Sequence, residues 1–212
     1  MDLMDLRRRL LMRTASRLPS EYQEVEYLES TGTQWIKTDI KGKFSVSLES
    51  EVIFTDKQDS YSVGFLDGSF RISGNGYYGH RTQNGYGSTY SLGPSNSLML
   101  SKRYKYKTIF EPGNQEVYLD DVLVSTSTFA KNVDTLTGVH FGIFARLNND
   151  TSASLFSKVK MYYLKISDGG ELLGHFIPCY RKFDNKPGMY DTVSKTFYTN
   201  AGTGEFLVGP NV

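Results

Sequence analysis

The chain is short of the residues on which cross-linking and metal chemistry depend. Its single cysteine, Cys179, excludes an intrachain disulfide framework and a multi-cysteine zinc site. Followed by Tyr180, it reads as a small buried hydrophobe rather than a nucleophile. Histidine occurs three times, at His80, His140 and His175, and tryptophan once, at Trp35. No apolar stretch comes near the roughly 18–20 residues that span a bilayer, so no membrane-spanning helix is expected. The first residues do not read as a secretory leader either. Leu10, Leu11 and Met12 follow the arginines, but Arg13 interrupts the apolar core. Net charge is also scarce: at +1 over 212 residues, the molecule as a whole is no binder of nucleic acid or other polyanions.

The charge that is present lies unevenly. Residues 1–17 hold Arg7, Arg8, Arg9, Arg13 and Arg17 against Asp2 and Asp5. Leu3, Leu6 and Leu10 recur there at helical spacing, with Met4 and Leu11 beside them, which predicts a short amphipathic helix. Pro19 disfavours helical geometry at Leu18 and ends it. A helix this short is marginal alone in water, so its Leu3, Leu6, Leu10 and Leu11 stripe needs a partner. The expectation is an anchor or oligomerisation segment over 1–17 and a sandwich domain over 18–212.

From Ser20 onward the pattern is that of strands. The 15 Tyr and 13 Phe favour pleated, half-buried strands. Phe44, Val46, Leu48, Val52 and Phe54 alternate with Ser45, Ser47, Glu49 and Glu51. Tyr61, Val63 and Phe65 repeat the period, and Lys105 to Phe110 follow. Val117-Tyr118-Leu119 and Val122-Leu123-Val124 flank Asp120-Asp121 as a two-residue hairpin. Val139, Phe141 and Ile143 mark a central strand apolar on both faces. In 158–166, Val159, Met161 and Tyr163 are expected on one face and Tyr162, Leu164 and Ile166 on the other. Phe176-Ile177-Pro178 reads as a strand that stops at the proline. Many short strands, Gly-rich turns and no internal amphipathic helix point to one all-β sandwich.

Three stretches carry a resemblance. The opening Leu18-Pro19-Ser20-Glu21-Tyr22-Gln23-Glu24-Val25-Glu26-Tyr27-Leu28-Glu29-Ser30-Thr31-Gly32-Thr33-Gln34-Trp35-Ile36 is the first. The close supplies Phe176-Ile177-Pro178-Cys179-Tyr180-Arg181-Lys182, Gly188-Met189-Tyr190-Asp191 and Phe197-Tyr198-Thr199-Asn200-Ala201-Gly202-Thr203-Gly204. Between them runs the hairpin from Glu116 to Val124. Over nearly all of 18–209 the chain resembles the concanavalin A-like, laminin G-like modules of bacteriophage and prophage structural proteins and of gut bacterial surface proteins. Its lead, Met1-Asp2-Leu3-Met4-Asp5-Leu6-Arg7-Arg8-Arg9, is similar to the start of phage-encoded versions.

The resemblance implies a concanavalin A-like jelly-roll β-sandwich with a short N-terminal helix. It also implies a virion protein, such as a head fibre, decoration protein or tail-tip component, with the bacterial cell surface as the second location. The implied partners are other virion proteins at the N-terminal segment, and glycans or host-surface proteins at the sandwich, in a homo-oligomer such as a trimer. Laminin G-like folds often bind calcium, and Asn148-Asn149-Asp150 is the richest oxygen cluster for it, with a polar turn as the alternative.

The same jelly roll carries glycoside hydrolases and polysaccharide lyases. A hydrolase needs two carboxylates about 5–9 Å apart across the scissile bond, which on a strand means acids two apart on one face. Glu49 and Glu51 have that spacing but lie on the polar side of an amphipathic strand. Asp120-Asp121 sits at a hairpin tip, where acids serve turn geometry. A lyase needs a His/Tyr pair with an arginine; His80-Arg81, with Tyr78 and Tyr86, is the nearest approach. The chain is therefore expected to be non-catalytic, without a cofactor. The richest binding segment is the Gly/Tyr-rich stretch from Gly74 to Tyr90, expected as a loop. Tyrosine offers rigid amphipathic contact area, and Gly and Asn let loops adapt. Tyr77, Tyr78, His80, Arg81, Tyr86 and Tyr90 are its candidate carbohydrate- or partner-binding residues. Trp35 is expected in the core.

Overall fold

The computed structural model describes residues 17–42, 46–56, 63–65, 68–72, 78–83, 88–90, 99–111, 114–128 and 139–212. All regular elements among them are strands. In chain order they begin with β1 (Tyr22–Glu24), β2 (Leu28–Thr31), β3 (Ile36–Lys41), β4 (Val46–Phe54), β5 (Val63–Phe65) and β6 (Gly68–Ile72). There follow β7 (Tyr78–Gln83), β8 (Ser88–Tyr90), β9 (Arg103–Glu111), β10 (Asn114–Leu119), β11 (Val122–Thr128) and β12 (His140–Ile143). The remainder are β13 (Arg146–Asn149), β14 (Ser152–Ser154), β15 (Lys158–Asp168), β16 (Glu171–Arg181), β17 (Lys186–Asp191), β18 (Thr196–Thr199) and β19 (Leu207–Val208).

They form two sheets. The larger runs β11-β10-β9-β4-β15-β16-β17-β18, joined by β1, β2 and β19. The smaller runs β14-β13-β5-β6-β7-β8, with β12 and β3 attached. Val46, Leu48, Val52, Phe54, Tyr104, Tyr106, Met161 and Leu164 of the larger sheet and Ile36, Phe141 and Ile143 of the smaller share one buried cluster. Two amphipathic layers have thus closed on each other, and each fully buried aliphatic or Phe side chain contributes about 1.5–3 kcal/mol.

Strand β4 shows why the pattern folds this way. Every second residue from Val46 to Phe54 is buried, as a period of two requires. The odd member is Ser50, which is polar yet inward. Its hydroxyl donates to the Tyr163 carbonyl at 2.6 Å. That carbonyl belongs to a β-bulge, because the β15–β4 register shifts between Met161 and Tyr163. The bulge corrects the expected phase of β15. Val159, Met161, Leu164 and Ile166 all face inward, and Tyr162 and Tyr163 are both half-exposed. Inserting one residue lets two out-of-step apolar runs reach the same core.

Two further expectations change. Strand β16 does not stop at Pro178 but continues to Arg181. Pro178 sits where β16 leaves β15, after the Leu164–Phe176 pair, and takes up β1 at Cys179. Its missing N–H therefore removes no ladder bond, while its carbonyl accepts the Val25 N–H at 3.0 Å. The Gly74–Tyr90 stretch is no simple loop, since it contributes strands β7 and β8.

The Asp120-Asp121 hairpin has φ of 52° and 63° at its two central residues, as a type I′ turn demands. Leu18 opens the sandwich, buried with Ile177, Cys179 and Tyr190. Burial also pushes the Cys179 thiol up to about 12, so it is an inert core residue. Of the helix predicted over 1–17, residues 1–16, with Leu3, Leu6, Leu10 and Leu11, lie outside the described residues; Arg17 lies in a bend and pairs with Glu24.

Candidate functional site

A cleft of about 290 Å³ opens between the turn before β3, the β13–β14 hairpin and the C-terminal return. It is lined by Thr33, Trp35, Thr151, Ser152, Ala153, Phe156, Ala201, Gly202 and Thr203. Local chemistry explains its shape. The return from Asn200 to Gly204 is tied to the β2–β3 turn, because Ala201 N–H donates to the Trp35 carbonyl at 2.8 Å and Thr33 Oγ1 donates to the Thr203 carbonyl at 2.9 Å. The Asn200 carboxamide oxygen accepts the Trp35 and Gly202 N–H groups, at 3.2 and 2.8 Å. Gly202 is required by proximity: a Cβ there would lie 2.2 Å from the Thr33 carbonyl oxygen and 2.7 Å from Trp35 Cδ1.

Trp35 is 6% exposed and packs with Ala145 and Leu147, beside Phe156 and Ala153. It is both a core residue, as expected, and part of the cleft wall. Its indole N–H has no acceptor among the described residues, and the hydroxyls of Ser152 and Thr203 are likewise uncommitted. An aromatic edge, a phenyl ring and several hydroxyl groups therefore converge on one small space. No lining residue titrates, so the cleft offers hydrogen bonds and apolar contact but no proton transfer.

The acids singled out by spacing are engaged elsewhere. Glu49 accepts from the Tyr163 hydroxyl at 2.9 Å and from Lys165 Nζ at 3.1 Å, and Glu51 pairs with Arg103. Burial alone would raise the Glu49 carboxyl, but the Lys165 and Tyr163 hydrogen bonds hold it below its ordinary value. A general acid needs the opposite shift. His175 is half-buried and its pKa is lowered by that burial.

The Asn148-Asn149-Asp150 oxygens point to separate tasks. Asn148 Oδ1 accepts from Arg146 and Ser154, Asn149 Oδ1 caps Thr151, and Asp150 holds His140 Nδ1 at 2.8 Å and Lys37 Nζ at 3.4 Å. The His140 hydrogen bonds bring the Asp150 carboxyl down to about 2. Among the described residues no three His, Cys, Asp or Glu side chains gather as a metal cluster.

Of the six candidate binding residues, Tyr78, His80, Arg81 and Tyr90 fall at alternating register positions. Arg81 is the register partner of Tyr90 across β7 and β8. Tyr78 and His80 are partners of Ile72 and Phe70 on β6, the alternate set of positions. The register thus brings Arg81 and Tyr90 together and sets His80 on the other face from Arg81. Tyr77 and Tyr86 lie outside the described residues. The cleft residues contributed by the Asn200–Gly204 return were not signalled by spacing, since they meet Trp35 from the far end of the chain.

No family model and no curated protein matches the sequence. Solved structures do match the fold. A candidate carbohydrate-binding protein from Bacteroides ovatus ATCC 8483 aligns with a TM-score of 0.59 at 13% identity, over 88% of this chain and 60% of that one. The present chain thus spans under two thirds of that protein. A native heptameric SAP-like pentraxin from Limulus polyphemus aligns with a TM-score of 0.54 at 9% identity, over 89% of this chain and 94% of the pentraxin. At these identities the likeness concerns architecture, and the architecture is an all-β jelly-roll sandwich.

Proposed function

We propose that this protein is a non-catalytic glycan-binding module displayed on a surface. The surface is that of a bacteriophage virion, as a head-fibre, decoration or tail-associated component, with the bacterial cell surface second. One observation carries the binding part of the reading: the cleft sets Trp35 and Phe156 beside the hydroxyls of Ser152 and Thr203, which have no partner among the described residues, and no titratable side chain lines it. Sugars are recognised by such mixtures of aromatic contact and hydroxyl hydrogen bonds, and hydrolysis has no acid or base to use there. The name of the Bacteroides ovatus neighbour and the heptameric state of the pentraxin support glycan binding and assembly. Several copies would turn weak single-site affinities into firm attachment.

The virion assignment rests on the resemblance of the opening and closing segments, together with the arginine-flanked lead.

Trp35 is the chain's one tryptophan, so its emission reports directly on the cleft. Titration with uncharged oligosaccharides is expected to give a saturable change in emission. Ser152→Ala and Thr203→Val should each weaken it by roughly 2- to 10-fold, the worth of one neutral hydrogen bond. A flat response to every neutral sugar, or shortened polymer products after incubation, would reject the reading.

A further inference from the structure

One wall of the cleft is the β13–β14 hairpin, which lines it with Thr151, Ser152 and Ala153. Little backbone pairing holds this hairpin in place. Strand β14 ends the smaller sheet and, among the described strands, pairs with β13. Strand β13 in turn pairs with β5 through Arg146 and Leu147, opposite Gly64 and Phe65. From Asn148 onward the hairpin therefore has no ladder but its own among the described residues. Its two ends are also costly. Phe144, just before β13, and Leu155, just after β14, have φ of 68° and 54°, a region that bulky side chains rarely adopt. The buried Nε of Arg146 has no partner among the described residues. Local strain of this kind persists only where surrounding contacts over-determine the geometry.

Those contacts can be named. At the root, Leu147 and Ala153 pack with Trp35, and Ser157 N–H donates to the Phe144 carbonyl at 2.7 Å. At the tip, Asn149 Oδ1 accepts the Thr151 N–H at 2.9 Å and the Thr151 hydroxyl at 2.8 Å, which orders the turn but ties it to nothing outside itself. Asp150 supplies the outside tether. Its Oδ1 accepts the His140 backbone N–H at 3.1 Å, and both its oxygens lie 2.8 Å from His140 Nδ1. Lys37 Nζ stands 3.4 Å from Oδ2. An ionised carboxylate only accepts, so His140 Nδ1 carries the proton of that bond. The His140 hydrogen bonds bring the Asp150 carboxyl down to about 2, which keeps it ionised, and bonds to an ionised acceptor are the stronger kind. His140 opens β12 and Lys37 lies on β3, so one carboxylate joins the hairpin tip to two other strands.

We infer that Asp150 is the positioning residue of the cleft: by tethering the hairpin tip to β12 and β3 it holds Thr151 and Ser152 in place opposite the Asn200–Gly204 return. The inference rests on the glycan-binding reading of the cleft and adds what sets the position of its mobile-side wall. Asp150 does not itself line the cleft. It acts through the next two residues of the chain, whose side chains do. A wall ordered in advance spares the ligand the cost of ordering it.

The test uses the full chain and reads Trp35 twice, by acrylamide quenching without sugar and by emission on titration with neutral oligosaccharides. In D150A the tip is released, and quenching should rise by about twofold as the hairpin opens locally and bares the indole. Affinity should fall by about tenfold, because the sugar must then order the hairpin as it binds. D150N should keep most of both parent values, since its carboxamide oxygen still accepts the His140 N–H groups. E51Q, which breaks the Arg103 pair on the larger sheet, should move neither. The Asp150 side chain is 34% exposed, so D150A removes no core contact, and a urea midpoint verifies that each variant is folded where it is measured. The inference is overturned if D150A matches the parent in quenching or in affinity; a fall in affinity alone would set Asp150 against the sugar itself. If the parent binds no neutral sugar, the glycan reading fails, and the quenching of D150A alone then decides whether the tether sets the wall.

Discussion

Individual residues decide where the cleft sits. Gly202 approaches the Thr33 carbonyl and the Trp35 indole closely enough that a methyl group collides with backbone as well as ring. Gly202→Ala should therefore push the Asn200–Gly204 return off Trp35 rather than be absorbed by a flexible side chain. The expected cost is about 1–3 kcal/mol, typical of forcing an extra carbon into a packed contact. A lower urea midpoint with a red-shifted Trp35 emission would register it; unchanged values for both would show that the return is not packed as described. Trp35 also marks what was legible. Its burial follows from its chemistry, but its place beside a cleft depends on Asn200, 165 residues away, and no local pattern encodes that meeting.

Elements show a similar division. Strand β4 was readable because its own alternation is strict and its β9 neighbour keeps register with it from Leu48 to Ile53. Strand β15 was misphased because a bulge is invisible to a period of two. Ser50 is the clue in the sequence: a hydroxyl in an inward slot implies a carbonyl that the ladder leaves unpaired. Ser50→Val keeps the strand pattern but strands the Tyr163 carbonyl, and the expected loss is about 1–3 kcal/mol. Denaturant unfolding checks this, and a variant as stable as the parent would mean that the bulge carbonyl needs no donor. Strands β7 and β8 were hidden by composition, because glycine and asparagine at this density read as loop. Only the pairing of Arg81 with Tyr90 and of His80 with Phe70 reveals two faces where the sequence suggested one cluster.

At the scale of the molecule, fold class was legible because many strands repeat the same alternation, so a local error of phase leaves the class unchanged. Assembly is a different matter, since a Leu3, Leu6, Leu10 and Leu11 stripe calls for a partner without naming it. The sandwich supplies a clean place to cut. Leu18 is 5% exposed against Ile177, Cys179 and Tyr190, and Arg17 is paired with Glu24, so both must stay. A chain of residues 17–212 keeps every buried contact described for the sandwich and should unfold at the same temperature as the full chain. If residues 1–16 assemble copies, light scattering should give the shortened chain a monomer's mass and the full chain a multiple of it. Retention on a glycan-coated surface should then fall by about 100-fold or more, because linked weak sites act together only while joined. Single-site affinity, read from Trp35 emission, should stay the same, separating loss of avidity from damage to the cleft. Equal masses for the two chains would remove the oligomerisation role from the N-terminal segment and leave the sandwich to bind one site at a time.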